Sequence, residues 1–212
     1  MKGKLLFTGL LGALLVNAGQ TPPAEGPWEN FQKDWKAAPS SSAWKVRGES
    51  EVQFTHPVSH AKTKASEPVF ARAVEQAGVM QYEWSLKQAD FKQGCVFYLF
   101  STDPSARDAY AIWLWLATDK ASGEKQTRLN VDKIVNHKLT PLKFFPITLK
   151  SDDWNSMRVK FDAVKGAFIV WCNGEEVAQC TDPKPFAKGS CVALGSSAAS
   201  ATFKEVRIQK GP

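Results

Sequence analysis

The alternation of apolar and polar residues is the feature of this sequence that most restricts its fold. Between Val79 and Lys87 (VMQYEWSLK), apolar residues fall on one side of an extended chain and polar residues on the other. Such runs recur about every ten residues from position 28 onward, with turn residues between them, and no apolar stripe of helical spacing persists. The pattern predicts an all-β protein. In the first run, the side predicted to face the core consists of Met80, Tyr82, Trp84 and Leu86.

Two runs are apolar on both faces, Cys95 to Phe100 (CVFYLF) and Tyr110 to Ala117 (YAIWLWLA). This is typical of central strands whose second face is covered or binds something. Asn173-Gly174 is the strongest hairpin signal, because both residues tolerate the positive φ that a type I′ turn requires. Further strands are expected at 157–161, 168–172, 177–180, 189–194 and 202–209, the last with a local bulge that turns Phe203, Val206 and Ile208 inward.

Residues 119–150 have the weakest pattern of the chain. Two short apolar stretches, 129–135 and 144–149, are expected to be edge strands around a long loop. Pro141 and Pro146 restrict their pairing, because proline has no backbone N–H to donate.

The first 18 residues have the pattern of an export signal. Lys2 and Lys4 precede an apolar stretch from Leu5 to Val16, and Ala18 is a small residue suited to cleavage. A membrane anchor is the alternative, but it needs about 20 apolar residues. We therefore expect a secreted or periplasmic protein with a signal peptide at 1–18, a flexible leader at 19–27 and one domain at 28–212.

The charge pattern argues against nucleic acid as a partner. The formal net charge falls by two, from +6 to +4, when the two signal-peptide lysines are removed. The remaining lysines are dispersed, whereas nucleic-acid recognition needs a clustered basic face. We expect no membrane span, and the sequence does not predict an oligomeric state.

Four cysteines lie in the predicted domain: Cys95, Cys172, Cys180 and Cys191. An exported chain meets oxidising conditions, so two disulfides are one interpretation, and buried free thiols are the other. Their spacing lacks the short pairs of a zinc site, and we expect no bound metal.

The usual catalytic motifs are absent from the sequence. There is no glycine-rich phosphate loop, no nucleophile elbow and no close carboxylate pair on one strand face. His56 and His60 are separated by a proline and are interpreted, like His137, as surface residues. Asp152-Asp153 and Glu175-Glu176 are interpreted as solvated turn charges. We expect no cofactor.

The tryptophans suggest a binding surface. Trp113 and Trp115 share a strand face opposite to Ile112, Leu114 and Leu116. If the aliphatic face packs inward, the indoles line the open side of a sheet, where flat rings suit sugars. Tyr98 and Phe100 are expected to extend this platform, with Glu83 beside them. The alternative is ordinary core packing, with residues 119–150 covering both tryptophans.

Several segments resemble the strands of concanavalin-like domains. They are Trp44 to Gly48, Tyr82-Glu83-Trp84, Gly94 to Tyr98, Trp154 to Val159, Phe168 to Val177, Gly189 to Leu194 and Phe203 to Ile208. In particular the chain resembles the bacterial 3-keto-disaccharide hydrolase (3-keto-glucoside lyase) family. The resemblance implies a jelly-roll β-sandwich and a carbohydrate ligand.

Departures from that family affect the expected activity. Glu83 stands where the family carries a groove glutamate, but Tyr98 takes the place of the family's arginine. The stretch Tyr110-Ala111-Ile112 lacks the acidic residue that the family has just after the tyrosine. One carboxylate does not supply both the acid and the base that glycoside chemistry needs. We therefore expect a non-catalytic module that either binds carbohydrate, using Glu83, Tyr98, Trp113 and Trp115, or is structural, with its groove plugged by its own loop. The alternative is a glycoside hydrolase or lyase with Glu83 as acid/base.

Overall fold

The computed structural model describes residues 27–30, 36–37, 44–47, 51–54, 70–88, 94–118, 123, 125–150, 153–196 and 200–211. The expected signal peptide, most of the leader, His56 and His60 lie outside these residues. The described residues form strands β1 (Glu29–Asn30), β2 (Lys36–Ala37), β3 (Trp44–Arg47), β4 (Glu51–Phe54), β5 (Phe70–Ala77), β6 (Val79–Gln88), β7 (Cys95–Ser101), β8 (Ala109–Thr118), β9 (Lys125–Val135), β10 (Lys138–Pro146), β11 (Asn155–Asp162), β12 (Ala167–Cys172), β13 (Glu175–Thr181), β14 (Lys188–Ser196) and β15 (Ala201–Lys210).

The strands form two antiparallel sheets. Sheet A has the order β13-β12-β11-β6-β15-β4-β3, with β1 also paired to β15. Sheet B has the order β10-β9-β8-β7-β14-β5-β2. Among the described strands, consecutive strands lie in different sheets at eight places: β1–β2, β2–β3, β4–β5, β5–β6, β6–β7, β10–β11, β13–β14 and β14–β15. The predicted all-β, two-sheet sandwich is confirmed.

The core lies between the sheets and is rich in aromatic rings. Trp84 of sheet A stacks on Phe97 of sheet B with 4.4 Å between ring centroids. Phe100 of sheet B meets Phe161 of sheet A edge to face at 4.7 Å. Such pairs add to the free energy gained by burying apolar area. The residues that the alternation of β6 predicted to face the core are all buried: Met80, Tyr82, Trp84 and Leu86.

Gln76 is a fully buried polar residue that connects the two sheets. Its amide nitrogen donates to the carbonyl of Cys191 at 2.7 Å. Its amide oxygen accepts from the hydroxyl of Tyr82 at 2.7 Å and from the backbone N–H of Phe100 at 2.9 Å. Tyr82 belongs to sheet A, and the other three residues belong to sheet B. Because each of these polar groups has a partner, their burial does not carry the cost of an unsatisfied group.

Two local predictions are confirmed, one about a hairpin turn and one about a β-bulge. Asn173 and Gly174 both have positive φ, 53° and 85°, and connect β12 to β13 as a two-residue hairpin turn. In β15 the register shifts between Lys204 and Arg207, and Glu205 has a φ of 55°. This bulge turns the predicted set inward, since Phe203, Val206 and Ile208 are buried.

The expectation of a long loop within residues 119–150 is wrong. β9 and β10 form a long hairpin that pairs with β8 and extends sheet B. Its turn consists of Asn136 and His137, which both have positive φ, 50° and 60°. Asn tolerates this conformation, so the turn satisfies the same requirement as Asn-Gly. β10 is an edge strand with a register shift next to Pro141, where a missing N–H is tolerated. His137 is exposed at the turn, as expected.

All four cysteines are free thiols, so the disulfide interpretation is wrong for this structure. Burial raises the pKa of Cys95 to about 12. Burial also raises the pKa values of Cys172, Cys180 and Cys191 to about 11. Thiolates are the reactive form, so these side chains are poor nucleophiles in the folded protein.

The outer face of sheet B contains a buried carboxyl group. Asp132 of β9 is 1% exposed, and its Oδ1 accepts no hydrogen bond from the part of the chain that the structure describes. Burial raises the pKa of Asp132 to about 6, although a hydrogen bond with Asn130 opposes the shift. The charged form is therefore disfavoured in the folded state.

Candidate functional site

The structure separates the residues that the sequence analysis grouped together. Glu83 lies on β6 in sheet A, whereas Tyr98 lies on β7 and the two tryptophans, Trp113 and Trp115, lie on β8 in sheet B. Glu83 and the tryptophans are on opposite outer faces of the sandwich, because their strand neighbours fill the core. The expectation that Glu83 lies beside Tyr98 and Phe100 is therefore wrong. Alternation predicts which side of a strand is buried, but not which sheet the strand joins.

The residues of the expected platform differ in accessibility. Tyr98 is 2% exposed and packs in a small cluster with Ala106, so its ring does not extend an open surface. Trp113 is half-buried, and its indole lies against Gly94, where a Cβ atom would be 2.3 Å from the indole nitrogen. Trp115 is 36% exposed. β9 lies beside β8 in the same sheet, so it does not cover these tryptophans as the alternative proposed.

A row of side chains crosses the outer face of sheet A at the centre of β6. Register places Glu83 directly between Arg158 of β11 and Arg207 of β15. Arg158 in turn faces Trp171 of β12. The four strands together span about 14 Å at the usual strand spacing. We call Trp171, Arg158, Glu83 and Arg207 the sheet-A row.

Glu83 is held by both arginines of the row. Arg207 donates from Nε to Glu83 Oε2 at 2.7 Å, and its Nη2 contacts the same oxygen. The Nε of Arg158 lies 3.5 Å from Oε1 and makes no hydrogen bond within the described residues. Arg158 also donates from Nη2 to Gln81. Glu83 is therefore an ion-paired acceptor with a fixed orientation.

Tryptophan rings support the cations around this row. The guanidinium carbon of Arg158 is 5.4 Å from the centroid of Trp171, and that of Arg207 is 4.9 Å from Trp28. Trp28 immediately precedes β1, whose pairing with β15 brings the ring to this position. Stacking of this kind is a cation–π contact, and it restricts the rotamers of both arginines.

A second carboxylate lines the same surface. Glu205 occupies the bulge of β15, and its Oε2 accepts from Ser85 Oγ at 3.0 Å. Ser85 is two residues from Glu83 on β6, so the two carboxylates belong to neighbouring positions on one face. Lys204 lies next to Glu205, and its ammonium nitrogen is 4.2 Å from the centroid of the Trp154 ring.

These side chains surround an open groove of about 620 Å³. We call it the sheet-A groove. Its charged lining consists of two carboxylates and two guanidinium groups, so its formal charge is balanced. The groove is lined by Glu83, Trp84, Ser85, Ser156, Met157, Arg158, Trp171, Gly174, Glu205 and Arg207.

The chemistry of the groove is that of hydrogen bonding to a polar organic ligand. Carboxylate oxygens accept, guanidinium N–H groups donate, and an aromatic ring stands at one end. Within the described residues, no group of three or more His, Cys, Asp or Glu side chains is arranged to hold a metal ion. The described part of the chain has no helix that is long and apolar enough to cross a membrane.

Sequence analysis identified Glu83 but missed its partners. Arg158 and Arg207 each occupy polar positions of alternating strands, where surface charges are ordinary. Both arginines are far from Glu83 in the sequence. Their contact with Glu83 arises only because β6 pairs with both β11 and β15. Glu205 was missed because only the bulge turns it toward the groove.

No protein-family model and no curated protein sequence matches this chain. Solved structures do. The carbohydrate-binding module CBM66 from Bacillus subtilis aligns with a TM-score of 0.57 and 13% identity, covering 88% of this chain and 97% of the module. A β-glucanase from Bacillus licheniformis aligns at 0.55 and 12%, covering 89% and 98% of the two chains. The fold is that of the concanavalin-like lectins and glucanases.

A third similar structure is the carbohydrate recognition domain of Emp46p, with a TM-score of 0.55 and 11% identity. It covers 84% of this chain and 89% of that domain. At such low identities the similarity defines the concanavalin-like fold, while function has to be argued from the site itself.

Proposed function

We propose that this protein is a non-catalytic carbohydrate-binding module whose ligand lies in the sheet-A groove. The observation that carries the proposal is the ion-paired Glu83, held between Arg158 and Arg207 with tryptophan rings beside both cations. The carbohydrate-binding module and the carbohydrate recognition domain among the similarly folded proteins support it.

The geometry suits the hydroxyl groups of a sugar. A carboxylate and a neighbouring guanidinium offer an acceptor and donors side by side, which is the pattern that adjacent hydroxyls satisfy. Because the formal charges of the groove balance, we propose a neutral glycan rather than an acidic one. Trp171 closes the end of the sheet-A row and contributes apolar surface.

Binding is favoured over catalysis because both carboxylates are already engaged. Glu83 accepts from Arg207 and contacts Arg158, and Glu205 accepts from Ser85. Carboxylates held as hydrogen-bond acceptors are suited to orienting hydroxyls, whereas a general acid has to carry a proton to the leaving group.

A glycan array followed by titration calorimetry tests this proposal. We expect the purified protein to bind a neutral glycan, and Glu83→Gln to raise its Kd by about tenfold or more, because charged hydrogen bonds contribute about 1.5–3 kcal/mol. Glu75→Gln, an exposed carboxylate on sheet B, is the matched control and should leave Kd unchanged. Absence of any glycan ligand, or equal affinity in Glu83→Gln, would contradict the proposal.

A second candidate function is cleavage of glycosides, including 3-keto-disaccharides, by a hydrolase or lyase reaction. The observation that favours it is that Glu205 places a second carboxylate in the groove of Glu83. Most enzymes that cleave glycosides use a pair of carboxyl groups on either side of the scissile bond as catalytic residues. Release of reducing sugar from keto-disaccharides, abolished by Glu83→Gln and by Glu205→Gln, would support this function over simple binding.

We also propose that the protein is exported and cleaved after Ala18, with residues 28–212 as one domain. The basic start and the apolar stretch at Leu5 to Val16 support export. N-terminal sequencing of protein recovered from the periplasm or medium should begin at Gly19.

A further inference from the structure

A lysine and an aspartate form a buried ion pair at one end of the sandwich. The Nζ of Lys133 lies 2.7 Å from Oδ2 of Asp182, and the two side chains are only 15% and 4% exposed. Lys133 belongs to β9 of sheet B, whereas Asp182 comes directly after β13 of sheet A, in the connection to β14. The pair therefore joins two segments that are far apart in the sequence and belong to different layers of the fold. Neither residue lines the sheet-A groove.

Aromatic rings surround this ion pair. The ammonium nitrogen of Lys133 lies 4.6 Å from the ring centroid of Phe186 and 6.0 Å from that of Tyr110. Tyr110 packs in turn against Phe161 and Phe168 of sheet A, at centroid distances of 4.9 and 4.8 Å. Such surroundings disfavour charged groups. The neutral form of the pair, an amine beside a carboxylic acid, is therefore more accessible here than in water.

Hydrogen-bond donors fix both oxygens of the Asp182 carboxyl group. The hydroxyl of Tyr110 donates to Oδ2 at 2.7 Å, and the backbone N–H of Lys184 donates to Oδ1 at 2.9 Å. Lys133 also donates to the carbonyl oxygen of Lys184. Burial raises the pKa of Asp182, but these hydrogen bonds and the charge of Lys133 outweigh it and leave the pKa below its usual value. The ion pair is therefore the resting form, and transfer of one proton from Nζ to Oδ2 gives the neutral pair.

We propose that Lys133 and Asp182 condense to an intramolecular amide, an isopeptide bond. Because a carboxyl C–O bond is about 1.2 Å long, Cγ of Asp182 lies within about 4 Å of the attacking Nζ. As the N–C bond forms, Oδ1 takes up the negative charge beside the N–H of Lys184. Tyr110 then gives its proton to the Oδ2 hydroxyl and receives one from the new amide nitrogen. The C–Oδ2 bond breaks and one water leaves, so the reaction needs no oxidant, metal or co-reactant.

The bond attaches β9 to the connection between β13 and β14 and so joins the two sheets covalently. It forms only in the folded protein, because only the fold brings the amine and the carboxyl group together. A cross-link between distant segments restricts the unfolded chain, as a disulfide does. The four cysteines are free thiols, so the amide supplies a covalent link that disulfides do not.

Mass spectrometry of the intact, denatured protein tests this bond, with the N-terminus of the same sample determined by sequencing. We expect the wild type to be lighter than its own chain by one water molecule. Lys133→Arg keeps the positive charge but has no amine, since a guanidinium group stays protonated, and it should have the full mass. Lys165→Arg is the matched control. Lys165 also faces a carboxylate, that of Asp162 at 3.7 Å, but it is 77% exposed, and its substitution should leave the loss of water unchanged.

Peptide mapping locates the bond. Trypsin should not cleave after Lys133, and the peptide that contains Lys133 should be recovered joined to the one that contains Asp182. Three results would each overturn the proposal: a full mass in the wild type, a missing water that persists in Lys133→Arg, or a missing water located elsewhere, such as in a succinimide. If Lys133→Arg does not fold, the wild-type peptide map decides alone. Glycan binding in the sheet-A groove is measured separately, so either proposal can fail without the other.

Discussion

The contribution of Asp132 to the stability of the folded protein should be larger in acid than at neutral pH, and Asp132→Asn should remove this contribution. The folded pKa is about 6, because the carboxyl is buried. An unperturbed aspartate titrates near 3.9. The folded state therefore binds a proton more tightly than the unfolded state. The stabilisation is fully present below about pH 3.9 and is lost as pH rises through about 6.

The magnitude follows from the difference between the two pKa values. The difference of about two pKa units corresponds to at most roughly 3 kcal/mol of unfolding free energy. Asn has the shape of a protonated Asp, so Asp132→Asn should have nearly the wild-type stability near pH 3.5. At about pH 8 it should be more stable by about 2 kcal/mol.

Urea unfolding of both proteins at a series of pH values measures this difference. Asp103→Asn is a control of opposite sign. Burial raises the pKa of Asp103, but hydrogen bonds from Ser105 and Arg107 outweigh it and leave the pKa below its usual value. Its stabilisation is present above the unfolded pKa and lost as pH falls through the folded pKa, so Asp103→Asn should cost stability at neutral pH. A pH-independent effect of Asp132→Asn would refute the reasoning.

Three further predictions concern a buried hydrogen bond in the core, the glycines of two turns and the reactivity of the thiols. Gln76→Leu should lower the unfolding free energy by about 2–4 kcal/mol in urea melts, since Tyr82 loses a buried acceptor. Gly166→Ala should destabilise far more than Gly174→Ala. Both glycines have positive φ, but a Cβ at Gly166 would lie 2.0 Å from the carbonyl oxygen of Asp182, and nothing lies within 4 Å at Gly174. A thiol reagent near pH 7 should react slowly with the native protein and rapidly with four thiols after unfolding.

Local patterns predicted the elements of this fold well where both partners are close in sequence. The alternation of β6 identified its buried side, and Asn173-Gly174 located the hairpin between β12 and β13, because each depends on a few adjacent residues. The β9–β10 hairpin was missed because Asn136-His137 is a rarer pair for the same turn. Asn at the first position was the available signal.

The candidate site was less predictable because it depends on pairing across long sequence separations. The sequence identified Glu83 as polar and outward, but only the order of the strands places it between Arg158 and Arg207. Trp115 lies on an outer face, as one of the two interpretations of its strand had it, but on the sheet opposite Glu83. Short-range periodicity contains no information about which sheet a strand joins.

The position of β15 in sheet A gives the groove a dependence on complete folding. β15 is the last strand of the chain to be described, yet it lies in the interior of the sheet, between β6 and β4, and it supplies Arg207. Such non-local pairings form slowly, because the chain loses the entropy of closing a long loop before the strand contacts contribute any favourable free energy. The groove therefore forms only when β15 has inserted. Binding of the proposed ligand would therefore measure the fraction of molecules that have completed that insertion.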